Sequence, residues 1–385
     1  SGIPSIDTPS VSPSPIGLDF GPARLGLRVV RAGLQCTIQD DGRYGLASLG
    51  YATAGALDRH ALRLANRLVG NPPGSACIEL AVDGGEFEAV SDCVIAVTGA
   101  DLGPAIDGMP ITTCRAAWLR TGMRLSFDRP RPGMRAYLAV AGGFATPIVL
   151  GSRSTDLLAG IGGLDGRALR AGDVLPLLRS VEHSTVGFTC EPLAIPGHES
   201  EIVLRTVWGP QANWFDQHMR NLFTQATFVV SPRSDRTGLR LSGSAIQVTN
   251  TSDLASEGGV PGVVQIPPDG QPIILLADSR GVGGYPKLAT VIGADLSRLA
   301  YAAPGMRVRF ESTTVQDASI ATRNAMAAIA NTPLRPVPEL DVRCLQESLA
   351  WPDERSWLCP RTFACAVSQR CSSGPIESEH DTQPG

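Results

Sequence analysis

Lysine is all but missing from this 385-residue chain: of its 33 basic residues only Lys287 is a lysine, and the rest are arginine. A lineage bias toward arginine explains why surface cations became Arg. It does not explain the one position that stayed Lys. A desolvated amine can lose its proton and act as a nucleophile, or serve as a compact point charge, where a guanidinium stays charged and planar. Lys287 is therefore the first candidate for chemistry. Other scarcities exclude whole classes of function. Charged residues are 18% and the net charge is −4, so no basic field invites nucleic acid. No apolar run reaches the roughly 18 residues that span a bilayer, and no membrane partner is expected. The opening Ser1-Gly2-Ile3-Pro4 lacks the basic and apolar regions of a secretory signal, so the protein is read as cytoplasmic. There is no G-x-x-x-x-G-K-[ST] phosphate loop, no G-x-S-x-G elbow and no H-E-x-x-H zinc motif.

Nine cysteines are present. Cys36, Cys77, Cys93, Cys114 and Cys190 stand singly among apolar residues, as buried reduced thiols do. Cys344, Cys359, Cys365 and Cys371 crowd the tail, but their gaps do not match zinc-ligand spacing, and no metal site is expected.

What the chain does have is turn formers, 42 Gly and 30 Pro, which favour many short strands over long helices. Its length exceeds one ordinary core and predicts two domains. Residues 1–25 read as a disordered arm, 26–180 as a first β domain, 181–200 as a linker, 201–330 as a second β domain and 331–385 as an irregular appendage. Helices are expected over Asp58–Leu68, with Asp58 as N-cap, over Trp214–Phe223 and over Val315–Ala330. Two short strings recur in the same order: Val97-Thr-Gly-Ala-Asp-Leu with Val291-Ile-Gly-Ala-Asp-Leu, then Gly122-Met-Arg-Leu-Ser-Phe with Gly305-Met-Arg-Val-Arg-Phe. Such order favours duplicated halves.

Five segments gather polar side chains at glycine turns. Gln39-Asp40-Asp41-Gly42-Arg43 combines an amide, carboxylates and a guanidinium that can orient a planar polar substrate. Gly151-Ser152-Arg153-Ser154-Thr155 can hold an oxyanion. Ser234-Asp235-Arg236 offers a guanidinium oriented by a carboxylate. The stretch from Glu257 through Gln265 and Asp269 to Asp278 places polar groups at strand ends. Gly283-Gly284-Tyr285-Pro286-Lys287 lets a ligand approach the backbone and sets a phenol and an ammonium beside it. Each string also fits an ordinary turn or a local ion pair.

Taken in order, these segments resemble the carboxyltransferase family named for allophanate hydrolase subunit 2. That family includes the KipA proteins, the C subunit of bacterial 5-oxoprolinase and the matching part of urea carboxylase. Further strings carry the resemblance, among them Gly55-Ala-Leu-Asp58, Ala65-Asn-Arg-Leu-Val-Gly-Asn71 and Tyr137-Leu-Ala-Val-Ala-Gly-Gly143, over about residues 27–325. The sequence departs from the pattern at Leu57, Thr237, Arg280-Gly281-Val282 and Tyr301.

The resemblance implies a mainly β protein of two cyclophilin-like β-barrel domains with a few short helices. It implies a subunit-1 (KipI-like) partner in a hetero-oligomer, and a cleft between the barrels. There Lys287, Tyr285, Asp58, Arg236 and Asp235 are the catalytic candidates. Gln39, Asp40, Arg43, Arg153, Ser154, Glu257, Gln265, Asp269, Gly283 and Gly284 are the substrate-binding ones. The leading functional expectation is a subunit of an ATP-dependent hydrolase of a small cyclic amide or ureide, with ATP bound at the level of the complex. The alternatives are a biotin-dependent carboxyltransferase component, with biotin on a separate carrier, and a non-enzymatic KipA-like regulator.

Overall fold

The computed structural model describes residues 25–127, 134–178, 187–193, 195, 201–249 and 254–337. The expected arm, most of the linker, most of the appendage and the four tail cysteines fall outside the described residues. All described residues belong to one compact unit that ends at Asp341.

The mainly β reading holds. In the first half the strands divide between two sheets. A six-stranded antiparallel sheet is built around Gly26–Ala32, Gly85–Ala89 and Arg124–Phe127. A five-stranded sheet runs in the order Gln35–Gln39, Cys77–Ala81, Arg135–Val140, Cys93–Gly99, Ala116–Leu119. Leu27, Val29, Phe87 and Phe127 of the first sheet share a buried cluster with Ile38, Ile78, Ile95 and Leu138 of the second.

Three strands of the five-stranded sheet are buried along their whole length. That is why they are apolar at most positions rather than alternating, with Glu79 and Arg135 as the charged exceptions. The cover on this sheet is helix α1 (Arg59–Leu68). Asp58 caps it as expected, its Oδ1 accepting the N–H groups of His60 at 2.8 Å and Ala61 at 3.0 Å. Ala61, Leu62, Leu64, Ala65 and Leu68 face the core, and Thr98 Oγ1 of the sheet donates to Ala61 O at 2.7 Å.

The second half closes into a seven-stranded barrel in the order Glu201–Trp208, Lys287–Val291, Val263–Gln265, Ile273–Leu275, Gly238–Ser242, Thr227–Val230, Arg307–Ser312. Phe223, Phe228 and Phe310 pack together in its core, with Phe223 and Phe310 centroids 4.3 Å apart. Helix α2 (Gln217–Gln225) starts later than expected. Asp216 caps it by accepting Met219 N at 2.8 Å, and Ala212–Trp214 forms a separate tight turn. Helix α3 (Val315–Ala330) has the expected span, capped by Thr314.

The internal repeat is visible in geometry. Gly122 and Gly305 each take a left-handed φ, +82° and +89°, shortly before an equivalent strand. Each donates its N–H to a carbonyl of a neighbouring strand, Ala89 at 2.8 Å and Val230 at 2.9 Å.

Candidate active site

The polar segments sort into three groups. The first is a clasp inside the first half. Asp40 Oδ1 accepts Gly42 N at 2.8 Å, Ser152 Oγ at 2.6 Å and Ser154 Oγ at 2.5 Å, while Oδ2 accepts Arg153 N at 2.6 Å. Gln39 is fully buried, its amide joining Thr37, Thr155 O and Gly55 N at 3.0–3.1 Å. Arg43 is buried as well, donating to Val149 O at 3.3 Å and Ser154 O at 2.9 Å. Gln39, Asp40, Arg43 and Ser154 thus bond to each other's loops, and of Arg153 it is the backbone that is held.

The second group is a buried network across the seam between the halves. Glu79 uses all four lone-pair directions. Its Oε1 accepts from Arg236 Nη1 and from Arg135 Nε at 3.3 Å, and its Oε2 from Leu57 N at 3.0 Å and Tyr137 Oη at 2.8 Å. Arg236 grips Asp278 with Nε and Nη2, both at 2.9 Å, and Nη2 also reaches Gly55 O at 2.8 Å. Tyr137 Oη accepts Asp58 N at 2.7 Å, and Tyr301 Oη donates to Asp58 Oδ2. Tyr301, a departure from the family pattern, is thus half of a link between the halves.

Burial alone would raise the Glu79 pKa, but the guanidiniums of Arg236 and Arg135 outweigh it and hold the carboxyl below its ordinary value. At Asp278 burial wins over Arg236, and the pKa is raised. Burial, then the nearby carboxylates, push the Tyr137 and Tyr301 phenols well above 10. Asp58 and Arg236, expected in the cleft lining, are enclosed here with their polar atoms committed to protein partners. Asp235 stands apart, exposed, where its Oδ1 caps a turn through Thr237 N and Gly238 N.

The third group surrounds Lys287. Strand Lys287–Val291 pairs with Val263–Gln265 so that Lys287 and Gln265 are cross-strand partners. Glu257 and Gly283 pair in a short neighbouring ribbon. Lys287 is 3% exposed, and its Nζ forms an ion pair with Glu257 Oε1 at 2.8 Å. Gln211 ties the group together. Its Oε1 accepts Lys287 N at 3.1 Å and its Nε2 donates to Glu257 Oε1 at 2.6 Å. The proximity and charge of Lys287 hold the Glu257 carboxyl below its usual value.

Gln265 Nε2 satisfies no acceptor, while Lys287 Nζ, an ammonium with three N–H groups, faces the single carboxylate oxygen of Glu257. Gly283 makes the close approach possible, since a Cβ at that position would stand 2.5 Å from Gln265 Nε2. Gly284 borders Ser256, Tyr285 is 44% exposed at the rim, and Asp269 sits at the exposed tip of the hairpin before Gln271. These two buried donors on adjacent strands can take a carbonyl or carboxylate oxygen, with Glu257 as the counter-charge of the ammonium.

Of the candidates, the structure gathers Glu257, Gln265, Gly283 and Lys287 into this group and leaves Asp269 and Asp235 outside it. Sequence reasoning missed Gln211, Glu79 and Tyr137. For Glu79 a signal existed: a carboxylate inside the apolar strand Cys77-Ile-Glu-Leu-Ala demands a buried cation. Gln211 follows Trp208-Gly-Pro with no pattern to mark it.

Comparisons with known proteins agree with this architecture. Residues 49–312 match the family model described as carboxyltransferase domain, subdomain A and B. The chain is 39% identical to the C subunit of Escherichia coli 5-oxoprolinase over 76% of its length and 93% of that protein. It superposes on the crystal structure of TTHA0988 with a TM-score of 0.68 at 36% identity, covering 75% of this chain and 55% of that one. On the Kluyveromyces lactis urea carboxylase the TM-score is 0.75 at 26% identity, over 81% of this chain and 29% of that one. The chain therefore spans about half of the first of these solved chains and under a third of the second. It belongs to the carboxyltransferase-domain family with subdomains A and B.

Proposed function

We propose that this chain is the C-type subunit of an ATP-dependent hydrolase that opens 5-oxoproline or a closely similar small cyclic amide. The observation that carries the reading is the pair of buried donors, Lys287 Nζ and Gln265 Nε2, on adjacent strands. The near full-length similarity to the C subunit of a 5-oxoprolinase supports the substrate class. The lactam oxygen binds between the two donors, where negative charge grows as amide resonance is broken. Gly283 and Gly284 let the ring lie against the backbone, and Tyr285 borders the entrance. Glu257 pairs with the Lys287 amine, and Gln211 holds both Glu257 and the Lys287 backbone in place.

Asp58 and Arg236 act through the fold in this reading. They fix the Gly55 and Asp278 loops, and so hold the two halves in register. ATP, bound at the level of the complex, supplies activation of the amide oxygen by phosphoryl transfer. Partner subunits, one of them KipI-like, complete the enzyme in the cytoplasm.

A second reading is carboxyl transfer from biotin on a separate carrier chain, favoured by the family match and the likeness to urea carboxylase. The same two donors would then hold the ureido oxygen of biotin. Reconstitution separates the readings. The chain is co-purified with its partner subunits and assayed for phosphate release with 5-oxoproline, and for carboxyl transfer with a biotinylated carrier. Lactam-dependent ATP hydrolysis without biotin supports the first reading. Carrier-dependent transfer with no lactam-dependent turnover overturns it.

A further inference from the structure

We propose that Cys114 and Cys190 form a thiol–disulfide site that staples the 187–193 segment to the first-half sheet when a small disulfide such as oxidised glutathione is present. Arg115 and Thr189 form an antiparallel bridge, and the same register sets Cys114 opposite Cys190. Cys190 N donates to Cys114 O at 3.0 Å, and Thr189 Oγ1 donates to the same oxygen at 3.3 Å. Directly opposed antiparallel residues have Cα atoms about 4.5–5.5 Å apart, inside the roughly 4.4–6.8 Å that a disulfide bridges.

The two thiols act on each other electrostatically, and the N–H of Leu193 also favours the Cys114 thiolate. These two influences lower the Cys114 pKa against its burial, and the interaction with Cys114 raises that of Cys190. Cys114 is buried while Cys190 is partly exposed, so reagents meet Cys190 first. Cys114 also holds a left-handed φ of +57°, fixed by its own N–H on Val97 O at 2.8 Å, an unusual conformation for a residue with a Cβ.

The other described cysteines differ. Cys36 and Cys93 are buried without a second thiol, and their pKa values are pushed up to about 11 and about 12. Cys77 is raised too, by burial.

The exchange balances. Cys190 sulfur attacks one sulfur of the small disulfide and expels one thiolate, which takes up the Cys190 proton. Cys114 sulfur then attacks Cys190 Sγ and expels the second thiolate, which takes the Cys114 proton. Two protein thiols are oxidised and one small disulfide is reduced to two thiols. The consequence is structural. Phe188–Thr189 also pairs with Arg335–Pro336, so the staple ties three distant stretches of the chain together.

The test treats the full chain with oxidised glutathione, blocks remaining thiols with N-ethylmaleimide and maps peptides by mass spectrometry. The expected product is a Cys114–Cys190 crosslinked peptide that disappears with dithiothreitol, together with a higher melting temperature of the oxidised form. Cys190→Ser and Cys114→Ser each remove both the crosslink and the shift. The proposal is overturned if both residues are recovered blocked by maleimide. It is equally overturned if a stable glutathione adduct persists on Cys190, or if every crosslink involves only the tail cysteines.

Discussion

Replacing Arg236 by Met probes the seam between the halves most sharply. The substitution keeps a long buried side chain but removes the cation shared by Glu79 and Asp278. Glu79 retains Arg135, Tyr137 and Leu57 N, whereas Asp278 loses both of its side-chain hydrogen bonds to Arg236. Breaking a buried pair by removing one partner costs about 3–5 kcal/mol. For a compact unit of about 300 residues the shift is about 1.5 °C per kcal/mol, so the melting temperature should fall by roughly 5–8 °C. The cost should also depend on pH. The folded-state pKa of Asp278 is already raised by burial and rises further without Arg236. A carboxyl whose folded pKa lies above its unfolded one destabilises progressively as pH rises through that window. The deficit of the variant is therefore smaller near pH 5 than near pH 8.

In the wild type the Glu79 contribution has the opposite sign. Its folded pKa is lowered, so its stabilisation is present above the ordinary value of 4.5 and is lost as pH falls below it. Thermal melts of both proteins across pH 4–9 measure this. A cost below about 1 kcal/mol, or one that does not change with pH, would refute the role given to the network.

Other outcomes follow from single contacts. Asp40→Asn turns one of the two acceptor oxygens into an NH2 donor, facing either Arg153 N or the Gly42 N–H and the two serine hydroxyls, so it should cost about 1–3 kcal/mol. Hydrogen exchange should quicken first at residues 152–154. Gly283→Ala pushes the flexible end of Gln265 aside without touching the core, so activity should drop while the melting temperature holds. Gln211→Ala frees Glu257 from its amide partner and should raise the Glu257 pKa, seen as an acid limb of the pH–rate profile moving upward.

Local signals carried much of the fold into the sequence. The Asp58 cap and the periodic apolar face of α1 are contained within a few residues. The β-rich runs Cys93–Gly99 and Arg135–Val140 form strands buried along their whole length. The start of α2 was misplaced because Asp216, not a residue near Trp214, supplies the capping oxygen, and Phe215 is extended.

The site was half legible. Arginine bias singled out Lys287, and the structure indeed buries it. The glycine-rich string before it also marked Gly283, whose missing Cβ admits Gln265. The seam network was not legible, because Glu79 and Arg236 are 157 residues apart and neither lies in a motif that names the other. Asp58 and Arg236 carry the residue types of an active site, yet burial and complete hydrogen bonding turn them to holding the halves together. Polar composition alone does not distinguish a side chain that waits for a ligand from one already satisfied by the fold. The pairing of Lys287 and Gln265 on adjacent strands beside Glu257 is a tertiary fact that only coordinates reveal.

The central claim is that Lys287 and Gln265 receive the oxygen on which charge develops. Its most direct test is kcat for lactam-dependent phosphate release by the reconstituted complex carrying Lys287→Ala, with subunit assembly checked by gel filtration. The expected result is an intact complex whose kcat is lower by about 10²–10³-fold, the usual loss on removing one such donor. An intact complex with unchanged kcat would contradict it.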